Sequence, residues 1–474
     1  MIKALNSHFI FLLLFILLVI LSIFGALIVD FQTMSYMWFI LLFGNVLSYA
    51  LNKGNDKTKA IIIYNILFFS GAIYMLMCYS YMTYHRYNYL LAPDIYSYFL
   101  PWTEGYINEG TYWKALNKIW SDYNFFNRFH TGYFTYATFF GFIGQRFNAN
   151  FYVGQQLSVL FLYPFVGILI YKLLQANGFK NEKSLKYTLI ISLVSIIFIY
   201  SSLVLRDLHI LLLYLIGIYL TFQKEFSFIT FSKIIAIIYI NTLFRIETGL
   251  FLIILIPTYL LLTLEKNKHK SIVIGFSLMT FFSMIILFVV YQNQAQTVFE
   301  RNQETYIDSV TEGSGMIASL QRIPIAGDFA SIIYNAAQPL PLWAKLQHRV
   351  GGRLGPEVYN IMNFPGAFSS FFNWIVIIYI MAWLFISKIK RKTKKAISKP
   401  LKYHLWIGLT FLFVQSAVVS QRRLMAYYVI YYILFFIIFN KVGKEDRKFI
   451  TTVAVGSFVF LQLVAIIYKD LILL

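Results

Sequence analysis

The chain has 474 residues, 59% of them hydrophobic and only 13% charged, with 40 Lys+Arg against 20 Asp+Glu for a net charge of +20. Soluble proteins carry about 25% charged residues, and apolar runs of membrane-spanning length recur from end to end. This excludes a large soluble domain and predicts an all-α polytopic membrane protein, one integral membrane domain over residues 1–474. The basic excess is not that of a nucleic-acid binder, because most of it sits in short loops between apolar runs, where it sets orientation.

Thirteen spans are predicted, at 8–29, 33–51, 60–80, 152–172, 187–204, 207–222, 232–245, 248–264, 271–291, 368–387, 403–419, 424–440 and 449–467. The first run, in Met1 to Asp30, lacks a small-residue cleavage site and is expected to stay as an uncleaved helix. Cys78, the one cysteine, lies in an apolar run, so neither a disulfide framework nor a cysteine metal site is expected. With Lys3 inside, Lys53, Lys57 and Lys59 are inside after two crossings, and the Tyr-, Trp- and Asn-rich loop 81–131 is outside. The shorter aromatic segment 132–147 is decided by parity. If it spanned, Lys172, Lys180, Lys183 and Lys186 would lie outside, against the positive-inside rule. It is therefore expected to lie at the outer interface, which makes 81–151 a first long outer loop with interfacial helices. Later lysine-rich loops (Lys266 to Lys270, Lys388 to Lys402, Lys441 to Lys448) then fall inside. As one helix, 232–264 would be about 50 Å long, against a hydrocarbon core of about 30 Å. Two short spans are expected instead, meeting at Phe244-Arg245-Ile246-Glu247-Thr248. A second long outer loop covers 292–367.

This topology sorts the cations. Of the 40, 25 lie in cytoplasmic loops and 23 of those are lysine; the other 15 lie on the outer side and 11 of them are arginine. Guanidinium suits phosphate or carboxylate held by paired hydrogen bonds, so an anion-handling outer surface is expected. Asp94, just beyond the third span, is a candidate general base, or else the cap of the next helix. Tyr98 and Trp102, with Tyr106, Tyr112, Trp113 and Trp120, are suited to stack on sugar rings or to form an interfacial belt. Glu104 and Glu109 read as surface residues. Arg206-Asp207 interrupts an apolar stretch, and a charge near the bilayer costs a few kcal/mol on insertion scales, which marks a functional candidate. His209 is expected to share a helix face with Arg206. Arg245 recurs in the predicted hairpin, with Glu247 as one candidate partner. Arg422 and Arg423 cap the outer side of 403–440, as ligands or as headgroup contacts. The second loop adds Arg301, Arg322, Lys345, Arg349 and Arg353, and His348 to Arg353 is glycine-rich enough to wrap a diphosphate with backbone N–H groups. No GxxxxGK[ST] or HExxH occurs. A divalent ion on Asp94 fits the pattern, but nothing requires a metal or other cofactor.

The order of these features resembles a family. Asp94 to Tyr98 in an early outer loop is followed by Leu205-Arg206-Asp207-Leu208-His209-Ile210-Leu211, by Phe244-Arg245-Ile246-Glu247, and by Gln338-Pro339-Leu340-Pro341-Leu342-Trp343. The pattern, over about 90–360, is similar to bacterial cell-surface polysaccharide polymerases of the Wzy and EpsG kinds. EpsG-like members more often carry Arg-Gln where this chain has Arg206-Asp207, and a histidine near Arg245. The placement of Asp94 also resembles the GT-C glycosyltransferases. The resemblance implies a GT-C-like fold in the bacterial cytoplasmic (inner) membrane, with the N-terminus inside and the active site outside. It implies a polymerase of undecaprenyl-diphosphate-linked oligosaccharide units that builds an O-antigen, capsule or exopolysaccharide, working in membrane lipid beside a flippase and a chain-length regulator. Asp94, Arg206 and Arg245 would be catalytic. Asp207, His209, Glu247, Arg349, Arg353, Arg422, Arg423, Tyr98 and Trp102 would bind substrate. Two rivals stand beside it: a GT-C transferase moving one sugar from a polyprenyl phosphate, and a flippase or transporter for a lipid-linked glycan.

Overall fold

The computed structural model describes residues 7–84 except 55, 94–122, 130–264 except 224, 358–416 and 421–472, with a few positions between 275 and 342. Among these residues there are helices and turns and no strand. Among the described residues seven helices are long and apolar enough to cross a membrane, and Phe15–Ile28, Asp207–Thr221 and Phe228–Phe244 are shorter apolar helices. The architecture is therefore all-helical and of a kind suited to repeated membrane crossing. The predicted span at 271–291 lies outside the described residues.

The chain begins with α1 (Ser7–Ile28), α2 (Phe31–Ala50) and α3 (Asp56–Tyr84). Asp30 starts α2 by accepting a hydrogen bond from the Thr33 amide. A π-helical turn (Ile95–Phe99) leads into α4 (Leu100–Ile107), followed by α5 (Tyr112–Asp122), α6 (Thr131–Arg146) and α7 (Phe151–Ala176). Asn150 caps α7 through the Val153 amide at 3.1 Å. Next come α8 (Asn181–Val194), α9 (Ile196–Ile199), α10 (Asp207–Thr221), α11 (Phe228–Phe244), α12 (Ile246–Leu252) and α13 (Leu255–Leu264). The C-terminal part holds α14 (Val358–Phe385), α15 (Ser387–Thr393), α16 (Lys399–Ser416), α17 (Gln421–Lys441) and α18 (Lys444–Ile472). The core runs through α2, α3, α7, α10 and α17 and is rich in tyrosine. Two of its buried hydroxyls find carbonyls: Tyr36 bonds Phe140 at 3.0 Å and Tyr163 bonds Ser192 at 2.8 Å. Away from water such a bond spares a desolvated hydroxyl its penalty.

Two elements differ from the expected spans. The run 187–204 is not one helix. Ser195 is extended and turns its hydroxyl to the Ile197 amide at 3.3 Å, a local bond that competes with the helical ladder. Beyond α9 the chain is irregular through Arg206, yet Ser201 to Leu205 are buried. Irregular backbone at such a place is stable only when enclosed by protein. The span expected at 368–387 starts earlier, at Val358, so the second long loop gives up its last ten residues, 358–367, to α14. Asn373 of α14 then donates to the Ala336 carbonyl at 3.0 Å, which ties that loop to the helix.

The 232–264 stretch is a hairpin, as its length demanded. α11 ends at Arg245, whose backbone is extended (φ −158°, ψ 116°). α12 then folds back so closely that a Cβ on Gly249 would lie 2.6 Å from the Thr242 nitrogen. Only glycine fits that approach.

The helix ends fall into two groups. At one end the Asn150 amide meets Thr33 Oγ1 at 2.7 Å, Tyr79 stacks on Tyr152 at 6.3 Å, and Arg206 reaches the Phe244 carbonyl at 2.8 Å. This groups the starts of α2, α7 and α10 with the finishes of α3 and α11. At the other end Asp56 accepts from Gln175 at 3.2 Å, Ser398 bonds Asn177 at 2.7 Å, Lys183 bonds Asn440 at 3.1 Å, and Lys388 and Lys392 pair with Asp446 at 3.3 Å. The two termini of α6 both belong to the first group: His130 sits beside Arg206, and the other terminus leads through Asn148 into α7.

Candidate functional site

The first group of ends holds a charged cluster assembled from three separate segments. The irregular stretch after α9 delivers Arg206 to the N-cap of α10, with Asp207 in its first turn. The extended residue between α11 and α12 is Arg245, and the residue before α6 is His130. Arg245 Nη2 lies 3.0 Å from Asp207 Oδ1 across 38 residues of sequence, and both side chains are nearly closed to solvent. Arg206 Nη1 donates to the Phe244 carbonyl at 2.8 Å and lies 2.9 Å from His130 Nδ1. Guanidinium only donates, so Nδ1 accepts and the ring proton is on Nε2. Arg206 and His130 are partly exposed, whereas Asp207 and Arg245 are buried.

The Asp207 carboxylate meets the Arg245 guanidinium, and His130 does not add a charge to the cluster. Its imidazole is pushed down to about 2, first by burial and then by the positive charges of Arg206 and Arg245. It is neutral at physiological pH, so it orients Arg206 and is not a proton carrier. A partly exposed guanidinium beside a helix N-terminus is suited to an anion.

Aromatic rings close around it. Tyr98 packs on His130 with ring centroids 4.9 Å apart and on Trp102 at 5.9 Å, and Trp102 is 45% exposed. Asp94 sits one turn before Tyr98, exposed, and makes no side-chain capping bond to the π-helical turn. The structure thus brings Tyr98 to His130, the partner of Arg206, and removes the capping role for Asp94.

Other expected residues are placed differently. Asp207, not Glu247, is the carboxylate that meets Arg245; Glu247 is exposed on α12. The extended Arg245 turns the chain and sends its side chain across to α10. His209 does not share an opening with Arg206. It is buried, stacked on Phe244 at 5.1 Å and edge-on to Tyr136 at 4.5 Å, because Arg206 precedes the helix while His209 lies within it. Arg422 and Arg423 begin α17, one turn before Tyr427, a ring within electrostatic reach of Arg245 and Glu247. Arg349 and Arg353 lie outside the described residues, as do Arg301, Arg322 and Lys345. His130 was not found from sequence: it stands alone before an aromatic run, and only the fold brings it to Arg206, 76 residues on.

Among the described residues no group of three or more His, Cys, Asp or Glu is placed to hold a metal. A groove of about 630 Å³ between α1 and α3, lined by Phe24, Ile28, Phe69, Leu76 and Tyr84 among others, is apolar and touches none of the charged residues. No family model matches this chain, and neither a curated protein nor a solved structure is significantly similar to it.

Proposed function

We propose that the protein is a membrane glycosyltransferase that polymerises oligosaccharide units carried on undecaprenyl diphosphate into a surface polysaccharide. In this reading the arginine end faces outward, the lysine end faces the cytoplasm, and α6 lies at the outer interface within a bundle of about thirteen spans. The observation that carries the reading is the Arg206–His130–Arg245–Asp207 cluster, a guanidinium-rich site at the helix ends where a lipid-borne diphosphate would reach it. The apolar groove between α1 and α3 supports a substrate with a hydrocarbon tail.

The reaction needs no nucleotide, because the bond to the diphosphate is already activated. A hydroxyl of the acceptor unit attacks the anomeric carbon of the donor glycan, the carbon–oxygen bond to the diphosphate breaks, and undecaprenyl diphosphate leaves. Arg206, the partly exposed guanidinium, contacts the leaving diphosphate and offsets its growing charge. His130 and the Phe244 carbonyl hold Arg206 in place, and the Asp207–Arg245 pair holds the two helix ends together behind it. Asp94 takes the acceptor proton and passes it to water. Tyr98 and Trp102 stack on the sugars nearest the diphosphate, and Arg349, Arg353, Arg422 and Arg423 contribute further cations to the diphosphate. The test is polymer formation in cells carrying Arg206→Ala at equal protein level. Loss of polymer with accumulation of single lipid-linked units is expected; normal polymer overturns the proposal.

A further inference from the structure

The exposed cations of the lysine end are not spread evenly. α14 stops at Ile386, whose backbone is extended (φ −96°, ψ 102°), and the chain turns there into the short α15. Ile389 and Thr393, one turn apart on α15, are both buried. Thr393 Oγ1 also accepts from the Trp383 indole at 2.9 Å across the turn. The element is thus fixed from its buried side. Six of the eight residues from 388 to 395 are Lys or Arg, and all six are exposed. Topology does not ask for this arrangement, since orientation depends on how many cations flank a span, and a loose loop would serve. Lys388 and Lys392 stand four residues apart, as do Lys390 and Lys394, and like charges at that spacing repel and weaken a helix. Asp446 relieves the first pair. Among the described residues no carboxylate lies within ion-pair distance of Lys390, Arg391, Lys394 or Lys395. Other lysines at this end have neighbours that take up their ammonium groups: Lys57 lies over the Tyr49 ring at 3.9 Å, and Lys183 donates to Asn440 at 3.1 Å. On α15 packing holds a concentrated charge in place, and an external anion would offset it.

The neighbouring surface selects the kind of anion. The last turn of α14 leaves Leu384, Phe385 and Ile386 exposed, Phe385 at 76%, immediately before the first of these cations. An apolar edge that ends at a ring of cations matches a molecule with a hydrocarbon chain and a negative head. We propose that the α14–α15 elbow binds an anionic phospholipid. Its phosphate lies against Lys390, Arg391 and Lys394, and one acyl chain lies along Leu384 and Phe385. The Arg391 guanidinium offers paired donors to phosphate oxygens, and the two ammonium groups add charge without fixed geometry. A soluble acidic peptide would match the charge but leave Phe385 uncovered. The proposal rests on the helices being embedded in a bilayer. It does not depend on the glycan-polymerising reading or on which side of the membrane each end faces.

The experiment is native mass spectrometry of the full-length protein released from micelles that contain equal amounts of phosphatidylglycerol and phosphatidylcholine. The wild type should retain phosphatidylglycerol in preference. A cation near an anionic lipid surface contributes roughly fivefold in affinity. The preference should therefore vanish in Lys390→Gln/Arg391→Gln/Lys394→Gln/Lys395→Gln. It should fall by about an order of magnitude in the milder Arg391→Gln/Lys394→Gln, which also serves as the test if the fourfold variant does not fold. A control, Lys53→Gln/Lys180→Gln/Lys183→Gln/Lys186→Gln, removes the same charge from other loops of that end and should keep the preference. Equal retention of both lipids by the wild type overturns the proposal. So does an equal loss in the control, which would mean a general attraction to positive charge. Water-soluble glycerol 3-phosphate at equal concentration should displace nothing; displacement would mean a phosphate site that has no need of a lipid.

Discussion

The two ends of the helix array use their charged contacts in opposite ways. At the lysine end the Lys388 and Lys392 ammonium groups meet Asp446 in the open, with lysine side chains 59% and 39% exposed. Such pairs are screened by water and contribute little. At the arginine end Asp207 and Arg245 are 3% and 10% exposed, and each depends on the other. Lysine positions at the first end need only be positive, and their partners are incidental. Arginine positions at the second are specified by partners from three segments, and a single change is felt throughout the cluster.

The largest effect should come from breaking the buried pair. Asp207→Ala and Arg245→Ala each strand a charge and should cost about 3–5 kcal/mol, read as lowered melting temperature in detergent. The double variant Asp207→Leu/Arg245→Met removes both charges and should recover most of that stability while polymer formation stays impaired. If the double variant is no more stable than either single one, the pair is not coupled, and the contrast between the ends weakens. Arg206→Ala comes next. Loss of one donor to a developing negative charge typically slows a reaction about 100- to 1,000-fold, so polymer formation should fall on that scale. The melting temperature should change less than in Arg245→Ala, because Arg206 is partly exposed.

His130 sharpens the comparison through pH. Its folded value, about 2, lies below the ordinary histidine value near 6.5. The unfolded chain therefore binds the extra proton first, and stability is lost as pH falls below about 6.5. Between pH 7.5 and 5 the loss should be about 2 kcal/mol. In His130→Gln, whose side-chain oxygen still accepts from Arg206, that component should vanish: the variant's melting temperature should fall less on acidification than the wild type's. Equal falls would mean that His130 is not held neutral by this environment.

The sequence showed the two ends unequally. Periods of hydropathy and lysine parity marked α2, α3, α7 and the 232–264 hairpin, because a bilayer and a positive-inside bias act on composition over many residues. Arg206 and Arg245 stood out as charges in apolar surroundings. What could not be read was pairing. Nothing local to Arg245 favours Asp207 over Glu247, which is only two residues away; the choice is made by the extended backbone at 245 and the close approach at Gly249. His130 gave no spacing signal because its partner is 76 residues distant. The helix break at Ser195 was hidden in an apolar run, since one serine hydroxyl bonding locally leaves hydropathy almost unchanged.

The smallest effect tests the other half of the comparison. Asp446 is approached by Lys388 and Lys392, and those two ammonium groups hold its carboxyl below the usual range. The carboxylate is partly exposed, so the same water that lets it ionise also solvates both lysines once it is gone. Asp446→Asn should leave the melting temperature unchanged within error at physiological salt and should leave polymer formation intact. A clear loss of stability would mean that the lysine end is also held by its pairs. The distinction between charges that set orientation and charges that build a site would then fail at the lysine end rather than at the arginine end.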